Sequence, residues 1–250
     1  MTTLRTLAIA LGLIVSGMHM ATANELKLIV GGSLTALFSE LGPQFEKASG
    51  HKLSIHFDST PNIISRINSG TPFDAVLVPS DVFKDVTAKS HFAQASIIDV
   101  ARVGFGVIAR AGAPKPDIST PDAFKAALLK VSSVASTPSS AAGAYIAKVY
   151  ERLGIADAMR AKTQALPAPS AIAPTVAKGD AELGIFLMNV FNAPGVELVG
   201  PFPADLQQDL VFTSGVAADA RQSDAAKAFI DYLKTPAAIA AIRVAGMTPG

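Results

Sequence analysis

Short apolar runs alternate with segments of helical periodicity along most of the chain. Residues 26–30 form one such run, and Gly31-Gly32 follows it. Ser33 then opens a segment in which apolar residues recur every three or four positions until Gly50, which is typical of an amphipathic helix. The same reading predicts further strands at 53–57, 75–78, 104–109, 131–135, 183–187, 197–199 and 210–217, and helices at 60–70, 121–130, 142–152, 224–233 and 236–244. In the segment 60–70, Thr60 is predicted to be the N-cap and Pro61 the first helical residue.

This order of strands and helices predicts the fold class. Strands that alternate with helices are typical of α/β proteins, because each helix carries the chain back across the sheet. The run 75–78 is apolar at every position, as in a strand buried on both faces of a parallel sheet. We therefore expect an α/β protein with mostly parallel sheets.

The first 23 residues have a different pattern. Arg5 precedes an uncharged apolar run at 7–15, and Ala21-Thr22-Ala23 closes the segment. A positive charge, a short apolar run and an A-x-A site are the marks of a secretory signal peptide, and the run is too short to span a bilayer. We expect residues 1–23 to be cleaved before Asn24 and the protein to be exported to the periplasm.

Composition narrows the chemistry that the chain can perform. It has no cysteine, which excludes disulfides, thiolate nucleophiles, cysteine-ligated metals and a lipid-anchored cysteine. Its 21 basic and 20 acidic residues become 20 and 20 once Arg5 is removed, so no cationic surplus is available to bind nucleic acid. The three histidines after the leader show no metal-ligand spacing, and no phosphate or dinucleotide loop is present. We expect a small ligand, no metal and no cofactor.

Hydroxyl residues follow several predicted strands, where helices begin. Each helix N-terminus offers unpaired N–H groups and the positive end of a helix dipole, so termini that converge can hold an anion without lysine or arginine. Ligands of open α/β sheets lie at the carboxyl ends of the strands, where these turns fall. Each residue could equally serve as an ordinary helix N-cap. The hydroxyl residues concerned are Ser33, Ser59, Thr60, Ser139, Ser140 and Ser170.

Several of these segments, taken in order, resemble the molybdate-type periplasmic solute-binding proteins of ABC importers, of type II. The resemblance covers nearly the whole chain after the leader, and its order and spacing are more specific than any one motif. It rests on Gly31-Gly32-Ser33-Leu34-Thr35, Phe45-Glu46-Lys47-Ala48-Ser49-Gly50, Phe57-Asp58-Ser59-Thr60, Phe73-Asp74-Ala75-Val76-Leu77, Ala142-Gly143-Ala144-Tyr145, Lys178-Gly179-Asp180-Ala181-Glu182-Leu183-Gly184-Ile185 and Phe202-Pro203-Ala204-Asp205-Leu206.

The resemblance implies a two-lobed fold that closes on its ligand. The chain would cross between lobes near 102–107 and again near 205–212. Lobe I would comprise 24–104 plus 209–250, and lobe II would comprise 105–208. It also implies that the partners are a small anion and an inner-membrane ABC permease, and we expect the binding protein to be a monomer.

The resemblance also implies which residues bind the ligand. The two serines of the family fall on Ser33 and on Thr60 with Ser59 beside it, and the backbone donor of its Ala-Gly pair falls on Ala142, next to Gly143. The chain departs from the family at two positions. Pro169 has no N–H to donate, so that Ser170 would replace it, and the family's tyrosine falls on Leu187. An apolar wall at Leu187 favours a carboxylate or other organic anion over molybdate.

A divergent branch of the same family includes aconitate isomerase, which moves a proton along a small tricarboxylate without metal or cofactor. The resemblance therefore also implies an alternative function as a cofactor-free isomerase. Asp58, His56 and Tyr145 are the candidate acid or base groups in that case. Each also has a plainer interpretation, with Asp58 in a turn, His56 in a strand and Tyr145 in the core.

Overall fold

The fold was examined in a computed structural model that describes residues 25–250. The predicted leader, residues 1–23, lies outside the described residues. The strands are β1 (Glu25–Gly31), β2 (Lys52–Asp58), β3 (Ala75–Pro79), β4 (Ile98–Val103), β5 (Phe105–Arg110), β6 (Val134–Ser136), β7 (Thr163–Ala165), β8 (Leu183–Leu187), β9 (Val196–Pro201), β10 (Leu210–Val216) and β11 (Thr248–Pro249). The helices are α1 (Thr35–Ser49), α2 (Thr60–Asn68), α3 (Val86–Ser90), α4 (Pro121–Lys130), α5 (Ala141–Arg152), α6 (Ala156–Lys162), α7 (Ile172–Lys178), α8 (Ser223–Leu233) and α9 (Pro236–Val244).

The strands form two separate sheets flanked by helices, which confirms the predicted α/β class. The first sheet has the order β11-β4-β10-β3-β1-β2, and the second has the order β7-β6-β8-β5-β9. Every residue of β3 and of β8 is buried, as their uninterrupted apolar sequences predict. Among residues 25–250, no helix combines the length and the apolar character needed to span a bilayer.

The chain passes between the sheets at two places. It leaves the first sheet at Val103 and enters the second at Phe105, and it returns between Pro201 and Leu210. The side chain of Gln207 bridges the two connections, because its Oε1 accepts a hydrogen bond from Phe105 N at 2.9 Å and its Nε2 donates to Phe105 O at 2.8 Å. The two crossings are thus joined to each other by a pair of hydrogen bonds.

The sheets are mixed, which corrects the prediction of mostly parallel strands. β1 is parallel to β2 and β3, and β6 is parallel to β7 and β8. β10 runs antiparallel to β3 and β4, and β5 runs antiparallel to β8 and β9. The antiparallel pairs arise where the chain enters a sheet from the other sheet, since no crossover helix then constrains the strand to run parallel.

Two local predictions also need correction. Ser59, with an extended backbone (φ −77°, ψ 155°), is the N-cap of α2, whereas Thr60 is already the first residue of that helix. β4 was not predicted, because its partner β10 shifts register between Phe212 and Thr213. This irregularity buries both Val100 and Ala101, which breaks the alternation expected of a half-buried strand.

Gly143 holds the loop after β6 against the first turn of α5. A Cβ at this position would overlap the carbonyl oxygens of Thr137 and Pro138. Ser140 completes the turn, since its Oγ accepts from Gly143 N at 2.9 Å and donates to Thr137 O at 2.8 Å. The absence of a side chain at Gly143 therefore fixes where the loop lies.

We expect Gly143→Ala to lower the free energy of unfolding by about 2 kcal/mol or more, because backbone oxygens must move to accept the methyl group. Gly42→Ala is the matched control within α1, where a Cβ would meet only Leu53 Cδ1 at 3.7 Å and Ile55 Cδ1 at 3.9 Å. The free energy of unfolding of Gly42→Ala should rise by roughly 0.5–1 kcal/mol, because alanine has a higher helix propensity than glycine. Urea unfolding measures both, and equal effects of the two substitutions would contradict the packing argument.

Candidate functional site

A cavity of about 160 Å³ lies between the two sheets. The carboxyl ends of β1, β2 and β3 reach it from the first sheet through Gly31, Asp58 and Pro79. The segments after β6 and β7 reach it from the second sheet, and Leu187 at the end of β8 completes that wall. The cavity therefore lies where ligands of open α/β sheets bind, at the carboxyl ends of strands.

The fold brings most of the predicted site residues to this cavity. Its lining includes Ser33, Ser59, Thr60, Ala142, Ser170 and Leu187, together with the acid-base candidate Asp58. Four predicted residues do not line it: Ser139, Gly143, His56 and Tyr145. Gly143 supports the loop that forms one wall, and His56 contacts the cavity only through Asp58.

The N-cap alternative can be tested hydroxyl by hydroxyl. Ser140 is an N-cap in the ordinary sense, because its Oγ accepts from the third N–H of α5. Ser59 occupies the N-cap position of α2 but makes no capping hydrogen bond with its side chain. Ser59 also lines the cavity. The capping interpretation therefore explains Ser140 and leaves the hydroxyl of Ser59 available to a ligand.

Thr60 connects the two walls of the cavity. Its buried Oγ1 accepts a hydrogen bond from Ala141 N, the first N–H of α5, at 3.3 Å. The bond joins the start of α2, beside the first sheet, to the start of α5, beside the second. A hydroxyl that accepts in this way still has its own proton to donate, so Thr60 can hold both the opposite wall and a ligand oxygen.

Asp58 is the one ionisable residue among the cavity-lining residues. Its Oδ1 accepts from Ser59 N and Asn62 Nδ2, both at 2.7 Å, and its Oδ2 lies 3.2 Å from His56 Nε2. Burial raises the pKa of the Asp58 carboxyl, but the hydrogen bonds from Asn62, Ser59 and His56 outweigh burial and leave this pKa below its ordinary value of 3.8. Asp58 is thus a charged carboxylate whose two oxygens both take part in hydrogen bonds, and these bonds fix the turn before α2.

The rest of the lining is uncharged, and much of it is apolar. Leu187 is completely buried, and its neighbours in the wall include Phe57, Phe186, Leu210 and two prolines, Pro167 and Pro169. No lysine or arginine lines the cavity within residues 25–250. An anion placed here would meet hydroxyls, helix N–H groups and carbon atoms, without a cationic side chain.

Sequence reasoning missed two polar residues at the site. Thr137 lines the cavity, is 3% exposed, and its Oγ1 has no hydrogen-bond partner in the described chain. Asn189 is also buried, and its Nδ2 donates to Ser33 O at 2.8 Å across the two sheets. Both residues follow the end of a buried strand, and that position was the signal available in the sequence.

A second, more open cavity of about 710 Å³ adjoins the first and shares Thr60, Ser140, Ala141 and Leu210 with it. Tyr145 lines this second cavity, and its hydroxyl donates to Leu206 O at 2.8 Å. Burial raises the pKa of the Tyr145 hydroxyl above its ordinary value of 10.0. Tyr145 is therefore a neutral donor beside the second crossing, away from the smaller cavity.

No group of three or more histidine, aspartate or glutamate side chains lies together as metal ligands within residues 25–250.

Comparison with known proteins places this architecture in one family. The family model of bacterial extracellular solute-binding proteins matches residues 26–248. Aconitate isomerase from a Pseudomonas species is 31% identical over 233 residues, which cover 90% of this chain and 88% of that protein. The molybdate-binding protein ModA of Azotobacter vinelandii is 28% identical over 231 residues, which cover 90% of each chain.

The solved structures show the same fold. The periplasmic molybdate-binding protein of Azotobacter vinelandii superposes with a TM-score of 0.73 and 19% identity, over 89% of this chain and 98% of that one. The matched family model and the two-sheet fold agree, and both extend over nearly all of the described residues. The chain belongs to the bacterial extracellular solute-binding proteins.

Proposed function

We propose that the protein is a periplasmic solute-binding protein that holds a small anion between two lobes and delivers it to an ABC permease. The observation that carries this proposal is the cavity between the sheets, with hydroxyl residues on both walls and no cationic side chain from residues 25–250. Neutral donors can hold an oxyanion in a site closed to water, because hydrogen bonds to charged groups are about twice as strong as neutral ones. In this proposal the leader directs export, and the binding protein acts as a monomer.

The proposed lobes are 24–104 plus 209–250 and 105–208. Two hydrogen bonds join them beside the cavity, from Ala141 N to Thr60 Oγ1 and from Asn189 Nδ2 to Ser33 O. Thr60 and Ser33, which accept these two hydrogen bonds, are also proposed to contact the ligand. Ligand binding and lobe closure would therefore be coupled. A ligand favours the closed form to the extent that it contacts both lobes only there.

The size and lining of the cavity support an organic anion. A volume of 160 Å³ is close to the roughly 150 Å³ of an engineered protein cavity that holds benzene, so an enclosed ligand has about six heavy atoms. A larger acid would extend into the adjoining 710 Å³ cavity, where Lys148 lies on the wall formed by α5. Leu187 would pack against carbon atoms of such a ligand, whereas a tetrahedral metal oxyanion offers only oxygens.

A second function, isomerisation of a small unsaturated carboxylate, is supported by the 31% identical aconitate isomerase and by the His56–Asp58 pair beside the cavity. In such a reaction a base removes a proton from one carbon, the double bond shifts, and a proton returns to the carbon at the other end of the allylic system. Asp58 lines the cavity, whereas His56 reaches it only through Asp58, so Asp58 would take the substrate proton and His56, whose Nε2 lies 3.2 Å from Asp58 Oδ2, would act as a positioning residue.

The binding proposal is tested by calorimetry with molybdate, tungstate, sulfate, cis-aconitate and trans-aconitate. We expect at least one of these anions to bind, and we expect Ser33→Ala and Ser59→Ala each to weaken that binding about 10-fold or more, because each removes a donor to a charged oxygen. Ser90→Ala is the control, since Ser90 is exposed and its hydroxyl donates within α3. Wild-type protein that binds none of the five would refute the anion site.

Isomerase activity is tested by incubating purified protein with cis-aconitate in the presence of a chelator and following the vinyl protons by NMR. If the protein is an isomerase, trans-aconitate should accumulate, and His56→Gln should slow its formation by at least 10-fold. Tight binding of the acid, with the substrate recovered unchanged, would leave transport as the function.

The role of Asp58 in the turn predicts a pH dependence of stability. The folded-state pKa of Asp58 is lowered, so its charged form stabilises the fold above the unfolded-state pKa, and this contribution is lost as the pH falls through the folded-state value. Asp58→Asn should therefore be less stable than wild type at pH 7, by about 1 kcal/mol. The difference should shrink below pH 3.8 in urea unfolding. A difference that is constant with pH would show that the charge is not the cause.

A further inference from the structure

We propose that the hydroxyl of Thr137 is a direct ligand contact, donating to an anion oxygen from the wall formed by the second sheet. The inference rests on the proposed anion-binding function and adds a residue to it. The observation behind this inference is that Thr137 Oγ1 has no hydrogen-bond partner within the described chain.

The Thr137 hydroxyl is buried without a hydrogen bond from the protein. Its side chain is 97% covered, and no donor or acceptor within residues 25–250 pairs with Oγ1. An unmade hydrogen bond at a buried hydroxyl is a net cost to folding, and native proteins rarely retain one without a partner. Because Thr137 lines the cavity, the missing partner can be supplied by what binds there.

The loop around Thr137 is fixed, so the hydroxyl cannot easily leave the site. Ser140 Oγ donates to the Thr137 carbonyl at 2.8 Å, and Gly143 packs directly beneath that same carbonyl. On the other side, the buried Ser136 donates from its Oγ to Ile185 O of β8 at 2.9 Å. The residue is therefore held between β6 and α5, as a preorganised donor requires.

The neighbourhood of Thr137 indicates the part of the ligand that it contacts. β6 and β8 are adjacent and parallel, so Thr137, just after β6, lies at the same sheet edge as Leu187. A donor beside a buried leucine suits a carboxylate whose oxygen is bonded to a carbon skeleton. Together, the two side chains would favour an organic anion over an inorganic oxyanion.

Two substitutions separate a ligand contact from a structural hydroxyl. Thr137→Val keeps the shape of the side chain and removes its hydroxyl, and Thr137→Ser keeps the hydroxyl. Calorimetry uses whichever of the five anions of the binding test, namely molybdate, tungstate, sulfate, cis-aconitate and trans-aconitate, binds wild type most tightly. We expect Thr137→Val to weaken that binding about 10-fold or more and Thr137→Ser to remain within about threefold, while the melting temperature of ligand-free Thr137→Val is equal to or above that of wild type.

Thr213→Val is the matched control. Thr213 is as buried as Thr137, but its hydroxyl donates to Asp99 Oδ1 at 2.7 Å, and Thr213 lines neither of the two cavities. That variant should lower the melting temperature and leave affinity unchanged, the reverse of the result expected for Thr137→Val.

Each contrary outcome has a definite meaning. If wild type binds an anion and Thr137→Val binds it equally well, the inference about Thr137 is wrong and the anion site stands. If Thr137→Val loses stability in the ligand-free protein as Thr213→Val does, the hydroxyl has a structural partner and the inference is also wrong. If wild type binds none of the five anions, this proposal falls together with the anion site.

Discussion

The organisation of this protein depends on one electrostatic constraint: within residues 25–250 no cationic side chain lines the cavity between the sheets, so any anion there must be compensated by neutral dipoles. Hydroxyls and helix N–H groups are weak donors singly, and they are effective only when several converge in a site closed to water. The convergence is possible because the carboxyl ends of β1, β2 and β3 face those of β6 and β8. The two sheets are therefore both the scaffold and the source of the binding groups.

The same constraint gives the contacts between the lobes a functional meaning. Ala141 N donates to Thr60 Oγ1, and Asn189 Nδ2 donates to Ser33 O. Each bond joins the two walls through a residue that itself lines the cavity, so separating the lobes would remove binding groups as it broke the bonds. The crossings at Gly104 and before Leu210, bridged by Gln207, are the only covalent connections between the sheets within residues 25–250. In the proposed function, this arrangement would allow the ligand to be captured by closure of the lobes.

Much of the fold is predictable from local sequence because apolar periodicity is a local signal. β3 and β8 are continuous apolar runs, and α4 follows a Thr120 cap with Pro121 at its first position. The direction of a strand does not follow from its own sequence. β10 is antiparallel to β3 because of where the chain re-enters the sheet, and the residues of β10 do not indicate that position. β4 escaped prediction for a related reason, since its irregular pairing with β10 disrupts the alternation of buried and exposed residues.

The candidate site was predictable to the extent that position after a strand implies position at a sheet edge. That rule brought Ser33, Ser59, Thr60 and Ser170 to one cavity. It could not separate Ser140, which caps α5, from Ser59, which does not cap α2, because the difference is a hydrogen bond seen only in three dimensions. Nor could it single out Thr137, whose distinguishing property is the lack of a partner in the folded chain.

Asp58 sets the remaining limit on what the site can hold. A carboxylate at the wall of an anion cavity repels its ligand, and the repulsion grows with ligand charge and falls with distance. The hydrogen bonds from Ser59, Asn62 and His56 offset part of that charge and keep its oxygens directed into the turn. An anion whose charge is spread over several carboxylates can place one near the hydroxyls and the others towards the adjoining cavity, farther from Asp58. A compact dianion cannot distribute its charge in this way, so in the proposed function the carboxylate that fixes the turn before α2 would favour an extended organic acid.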